Sequence, residues 1–178
     1  MTKRDVVLCS PVRTAIGTYG GSLKDVPAPD LGAMVIRESL ARAGLKGENI
    51  DSLVMGNVIQ ASLKMNPARQ AGMGGGLPVD VPALTVNRVC GSGAQAIATA
   101  ATDIWAGFAD CAVAGGMENM DRAPYLLPKG RWGARMGDTV LNDSMLMDGL
   151  NDAFSGEHSG WHTEDLVARY EISREDQD

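Results

Sequence analysis

The sequence predicts an α/β fold: a mixed, mostly parallel sheet with helices, followed by the start of a loop-rich domain. Three observations predict it. Short apolar runs alternate with helical patterns from residue 6 to residue 116, which is the pattern of strands joined by crossover helices. The chain holds 22 glycines but only 4% aromatics, a composition suited to close packing and tight turns. Beyond residue 120, Pro124, Pro128, Gly130, Gly133 and Gly137 interrupt a Met-rich stretch of weak periodicity. The boundary falls there, giving domains 1–120 and 121–178.

The elements follow in order. Val6 to Cys9 is a short apolar run ended by Pro11 and predicts a buried strand. Asp30, just after Pro29, stands where an N-cap belongs, and Ile36, Leu40 and Ala43 follow at helical spacing before Gly44. A helix over 31–43 is expected. Ile50 to Gln60 reads as a strand and a turn. Asn66-Pro67 opens a short helix through Ala71, which the glycines of 72–78 should break. Leu84 to Val89 is the next strand. Residues 94–109 are apolar nearly all round, which predicts a buried helix with Ile97, Ala101, Ile104, Trp105 and Phe108 on one stripe. Cys111 to Ala114 forms another buried strand. A helix is expected from Thr163 to residue 170, and Ser173 followed by acids looks like a further helix start.

Composition narrows the function. At 178 residues the chain can bury a sizeable core. Lys and Arg number 16 against 22 Asp and Glu, a net charge of −6, which argues against nucleic acid and against an anionic membrane surface. The longest uncharged stretch, Val89 to Thr102, is too short to span a bilayer. The run at residues 6–9 is too short for a signal-peptide core. Three widely spaced cysteines do not form a disulfide framework, so a reducing cytoplasm is the expected location.

The most informative segment is Asn87-Arg88-Val89-Cys90-Gly91-Ser92-Gly93-Ala94. A strand ends, one residue of reactive type sits at the corner, and a helix begins. A helix N-terminus carries about half a positive charge, which favours a thiolate over a thiol. The amides of its first turn can receive an oxyanion. Gly91 and Gly93 leave room for an acyl donor. A cysteine in such a turn can equally be a packing residue, and local sequence does not separate the two. Cys9 and Cys111 lie in apolar runs and are expected in the core. His158 and His162 are four apart with Gly160 between them. A metal site would need a third ligand, and none is placed, so no metal is expected.

Taken together, the motifs are similar to those of the thiolases, the acetyl-CoA acetyltransferase and 3-ketoacyl-CoA thiolase family. Asn87 to Gly93 resembles the family's acylation motif. Residues 56–61 and 66–71 resemble segments that precede it. Ala114-Gly115-Gly116-Met117-Glu118-Asn119-Met120, then Ala123-Pro124-Tyr125, resembles the signature that follows it. Arg13-Thr14 and Gly17 resemble the opening loop, with Ala15 where Pro is usual. The resemblance covers essentially the whole chain and identifies a thiolase-like N-terminal half: residues 1–120 as the first part of the α/β domain and 121–178 as the start of the coenzyme A-binding loop domain.

The resemblance implies that Cys90 is the acyl-accepting nucleophile in ping-pong catalysis, with acyl-CoA and acetyl-CoA as substrates and no resident cofactor. It implies that Leu150 and His158 line the pantetheine channel. It also implies a homotetramer in the full-length form. Ser159 stands where the family has Met, with Trp161 and His162 also unusual, so acyl preference stays open. A complete thiolase has a second half with a Gly-His-Pro histidine, an Asn-Glu-Ala-Phe asparagine and a cysteine in a Cys-x-Gly-Gly-Gly turn. Asn151-Asp152-Ala153-Phe154 and Cys111 only look like these by local sequence. Little activity is therefore expected of these 178 residues alone, together with self-association through an uncovered apolar face. An inactive half acting only in assembly, and a Cys-His hydrolase using Cys90 and His158, are the alternatives.

Overall fold

The computed structural model describes residues 5–178. The chain divides into two compact units, Met1–Ala123 and Pro124–Asp178.

In the first unit, α1 (Ala28–Ala43) precedes β1 (Ser52–Gly56), α2 (Pro67–Gly75), β2 (Ala83–Val86), α3 (Ser92–Ala106) and β3 (Ala112–Gly116). The three strands form one parallel sheet in the order β2-β1-β3. Val54 pairs with Leu84 on one side and Ala114 on the other. Alternation along β1 divides the core between the two faces of the sheet. Leu53 and Met55 join Ile36, Leu40, Ala68, Ala71 and Leu77 from the α1–α2 side. Val54 joins Ala96 and Ala100 of α3.

Several local expectations give way to packing. Residues Val6 to Cys9 form no strand, and Val7, Leu8 and Cys9 are exposed. β3 is the sheet edge, and no ladder reaches this segment. Residues 5–14 instead line a cleft of about 640 Å³ together with residues 110–118 and part of α1. Cys9 is therefore not a core residue. Cys111 does pack against the core, and burial, then Asp51 and Cys9, push its thiol up from the ordinary value.

α1 begins at Ala28, three residues before the expected start at residue 31. Its N-cap is Pro27, so Asp30 lies inside the first turn, where its charge suits the helix dipole. Asn66 does cap α2, its side chain accepting from the Arg69 amide. α2 does not break at Gly72 but runs to Gly75, because its glycines allow contact. A Cβ on Gly72 would lie 2.6 Å from Leu53 Cδ2, and one on Gly75 would lie 2.6 Å from Ile36 Cγ2. Gly76, at φ +96°, ends it in the left-handed region.

α3 is not buried all round. Ser92, Ala96 and Ala100 face inward, while Ile97 is 38% and Trp105 53% exposed, and Phe108, just past the helix end, is 82% exposed. Apolar composition marks a face able to pack, and the sheet covers only one such face.

In the second unit, β4 (Tyr125–Leu126) pairs antiparallel with β5 (Asn142–Asp143). Ser144 is fully buried, and both its amide and its hydroxyl donate to Pro124 O. A π-type turn, Leu146–Leu150, leads to α4 (Ser159–Tyr170) and α5 (Arg174–Gln177). α4 starts at Ser159 rather than Thr163, because His158 caps it through Nδ1. Ser173 caps α5 reciprocally with Asp176. No helix among the described residues is long and apolar enough to cross a membrane.

Candidate active site

The turn between β2 and α3 carries Cys90, and its geometry is built by neighbours on both sides. β2 ends at Val86, and the helical ladder begins with Gln95 N donating to Gly91 O at 2.9 Å. Between them Val89 adopts φ +49°. A β-branched residue in the left-handed region is strained and must be held there. Asn87 Oδ1 accepts the Val89 amide at 2.9 Å. Ser92 Oγ accepts the Arg88 amide at 2.8 Å and donates to Val89 O at 2.6 Å. The strained residue is thus Val89, immediately before the cysteine. Cys90 itself is exposed.

The turn uses two amides internally, Gly91 N to Arg88 O and Ser92 N to Val89 O. The amides of Gly93 and Ala94 come next, ahead of the first helical bond. Those positions have no carbonyl within their own helix and can receive a developing oxyanion. No Cβ on Gly93 would meet a neighbour within 4 Å, so its surface is open to a ligand. An exposed thiol beside first-turn amides can accept an acyl group and stabilise the resulting tetrahedral oxygen.

α3 rests directly on the strand ends. A Cβ on Gly56 would lie 2.6 Å from Ser92 C, and one on Gly116 would lie 3.4 Å from Gly93 Cα. Past those glycines, Asn57 and Glu118 form a polar cluster. Glu118 accepts from Val58 N at 2.8 Å, Ile59 N at 3.3 Å and Asn57 Nδ2 at 2.8 Å. Asn57 Nδ2 also donates to Met117 O at 3.1 Å. Burial pushes the Glu118 carboxyl above its ordinary value, against the pull of those donors. Asn57 is 1% exposed, and its Oδ1 has no partner among the described residues.

The other anticipated residues lie in the second unit. Leu150 is half-buried at the end of the π-type turn, where Asn151 N donates to Leu146 O at 2.7 Å. His158 is exposed and forms an isolated antiparallel bridge with Asn151. Its Nδ1 accepts from Gly160 N at 2.9 Å, which leaves the proton of the neutral ring on Nε2. Leu150 and His158 are thus tied into one loop. His162 Nε2 lies 2.9 Å from Ser155 Oγ. The amides of Ser155 and Phe154 hold Asp152 low in the carboxylate range, so this Asp-Ala-Phe run is a turn cap with Phe154 99% exposed. Among the described residues, no group of three or more His, Cys, Asp or Glu could hold a metal ion.

Sequence reasoning missed Ser92, Asn87, Asn57 and Glu118 as parts of this site. The available signal was Asn57 and Asn87 directly after β1 and β2 and Glu118 two residues past β3, where an α/β sheet builds its sites.

Comparison with known proteins identifies the family. The family model for the thiolase N-terminal domain matches residues 6–178. The chain is 51% identical over 174 residues to an acetyl-CoA acetyltransferase of Cupriavidus necator, covering 98% of this chain and 44% of that protein. It is 53% identical over 176 residues to the beta-ketothiolase BktB of the same organism, with the same coverage of 98% and 44%. It is 49% identical over 175 residues to an acetyl-CoA acetyltransferase of Pseudomonas aeruginosa, again covering 98% and 44%. The chain thus spans less than half the length of these relatives. The matched span, residues 6–178, takes in the strand ends, the Cys90 turn and the loop after it, and the chain belongs to the thiolase family, of which it carries the N-terminal domain.

Proposed function

We propose that this chain supplies the acylated cysteine of an acyl-CoA C-acyltransferase. The observation that carries the reading is the exposed Cys90 beside the unladdered amides of Gly93 and Ala94. The Cys90 thiolate attacks the thioester carbonyl of an acyl-CoA. The carbonyl oxygen takes the negative charge and rests against first-turn amides. Collapse breaks the bond to the coenzyme A sulfur, which leaves as thiolate and is protonated. An acyl-Cys90 thioester remains.

In the second half-reaction a proton leaves the methyl carbon of acetyl-CoA. The resulting carbanion attacks the acyl-Cys90 carbonyl, forms the new carbon–carbon bond and expels the Cys90 thiolate. The product is a 3-ketoacyl-CoA. Thiolysis is the same path reversed. Leu150 and His158 line the pantetheine arm in this reading, with Nε2–H of His158 as a donor toward it.

The base that activates Cys90 and the acid/base for the second step are contributed by residues outside these 178. These residues alone therefore turn over little. The test is co-expression with a C-terminal segment that restores the length of the relatives. Thiolysis of a 3-ketoacyl-CoA should appear only with both parts and vanish with Cys90→Ala. Full turnover by the 178 residues alone, or full activity with Cys90→Ala, would overturn the proposal.

A further inference from the structure

We infer that Glu118 is a positioning residue for Cys90: its carboxylate locks the two strand ends on which the first turn of α3 is seated. The inference rests on the reading of Cys90 as the nucleophile, but Glu118 itself enters no step of that reaction.

The seat is the pair Gly56 and Gly116, the last residues of β1 and β3. A Cβ on Gly56 would run into the backbone of Ser92 and Gly93, while Gly116 lies at ordinary contact distance from Gly93. Any change in the spacing of the two glycines therefore passes straight into the first turn of the helix. The β1–β3 ladder ends there, with Met117 N donating to Gly56 O at 2.9 Å. Beyond it, the connections among the described residues are those of Glu118 and of Asn57, whose Nδ2 also donates to Met117 O. Three N–H groups from residues 57–59 converge on one carboxylate. All three are donors, so the position calls for two acceptor oxygens on one group. An amide would turn an NH2 toward at least one of them.

A second connection reaches the cysteine from the other side. Val58, whose amide Glu118 holds, presents its carbonyl 3.5 Å from Asn87 Nδ2. The Oδ1 of the same Asn87 receives the amide of Val89. That bond helps keep Val89 at φ +49°, and Val89 sets the direction in which the chain enters Cys90. Glu118 thus acts on the turn through its seat and through the strained residue that precedes the cysteine.

A carboxylate at the opposite end of the same strands serves as the control. Asp51 accepts from Asp110 N at 2.8 Å and Cys111 N at 3.0 Å, clamping the start of β3 to the start of β1. It is an exposed clamp that likewise accepts two backbone amides, placed far along the strands from Cys90. A purely structural role for Glu118 predicts equal behaviour of the two variants.

The experiment is alkylation of the 178-residue chain by iodoacetamide at fixed pH, followed by peptide mass mapping. Cys90 and Cys9 are both exposed, so Cys9 is the internal reference. In Glu118→Gln the ratio of Cys90 to Cys9 rates should fall roughly fivefold to tenfold. In Asp51→Asn it should stay within about twofold of the parent. Asn87→Ser, which leaves the buried carboxylate intact, should lower the ratio in the same direction and decides the matter where Glu118→Gln does not fold. An unchanged ratio in folded Glu118→Gln, an equal fall in Asp51→Asn, or an unchanged ratio in Asn87→Ser when Glu118→Gln does not fold would overturn the inference. Acylation of Cys90 by acetyl-CoA, measured separately, bears on the proposed function alone. A Cys90 that alkylates as predicted but never acylates removes the function and keeps the positioning role.

Discussion

Gly56 lies so close to Ser92 that a Cβ on the glycine would sit 2.6 Å from the serine carbonyl carbon. The obstruction is backbone, so it cannot be relieved by a rotamer change. Gly56→Ala should push α3 off its seat and destabilise the chain by roughly 1–3 kcal/mol. A urea titration followed by far-UV circular dichroism measures this. The same variant should slow modification of Cys90, because the first turn moves with the helix.

Gly75 separates packing from propensity. Alanine in a helix interior is worth up to about 1 kcal/mol over glycine. Here its Cβ would lie 2.6 Å from Ile36 Cγ2 and 2.8 Å from Ile36 Cβ, in the fully packed contact between α1 and α2. Gly75→Ala should therefore lower stability by roughly 1–3 kcal/mol despite the better helix former. Gly74, where an added Cβ meets only Ala33 Cβ at 3.0 Å, should tolerate alanine better. Equal urea midpoints for the two variants would contradict this account of the glycine run.

Two carboxylates predict opposite pH effects. Burial raises Glu118 above the ordinary 4.5, so the folded chain holds that proton more tightly than the unfolded chain. Its contribution is fully present below pH 4.5 and is lost as pH rises through the folded value. The urea midpoint of the parent minus that of Glu118→Gln should fall as pH rises through that window. Asp51 is held below the ordinary 3.8 by the Cys111 and Asp110 amides. Its contribution is present above pH 3.8 and is lost as pH falls through the folded value. Parent minus Asp51→Asn should therefore decline only in strong acid.

The outer side of α3 predicts association. Ile97 and Phe108 expose apolar surface at 38% and 82% beside the half-exposed Trp105. Patches of this kind draw copies together. Sedimentation velocity of the 178-residue chain should show concentration-dependent association, and Ile97→Lys with Phe108→Lys should reduce it. A monodisperse parent at high concentration would contradict the prediction.

Much of this was legible in the sequence where the cause is local. Asn66-Pro67 announces a capped helix start because the cap bonds within three residues. The α/β class follows from alternation, and the Cys90 corner from a strand, a glycine pair and a helix in order. The rest depends on partners far along the chain. Gly72 and Gly75 read as breakers because their reasons, Leu53 and Ile36, lie elsewhere. Glu118 stands inside the Ala114 to Met120 motif, but its role is not readable there because its donors are about sixty residues away. Val6 to Cys9 has the composition of a strand, but the ladder that would make it one is set by the order of the sheet.

Cys90 is read here as the acceptor of an acyl group. The direct measurement is incubation of the chain, at the length of its relatives, with acetyl-CoA, followed by acid quench and peptide mass mapping. A base-labile acetyl group is expected on the peptide containing Cys90, absent from Cys90→Ala and absent from the Cys9 and Cys111 peptides. Acetylation distributed equally over the three cysteines, or an unmodified Cys90 in a folded chain that still turns over substrate, would contradict it.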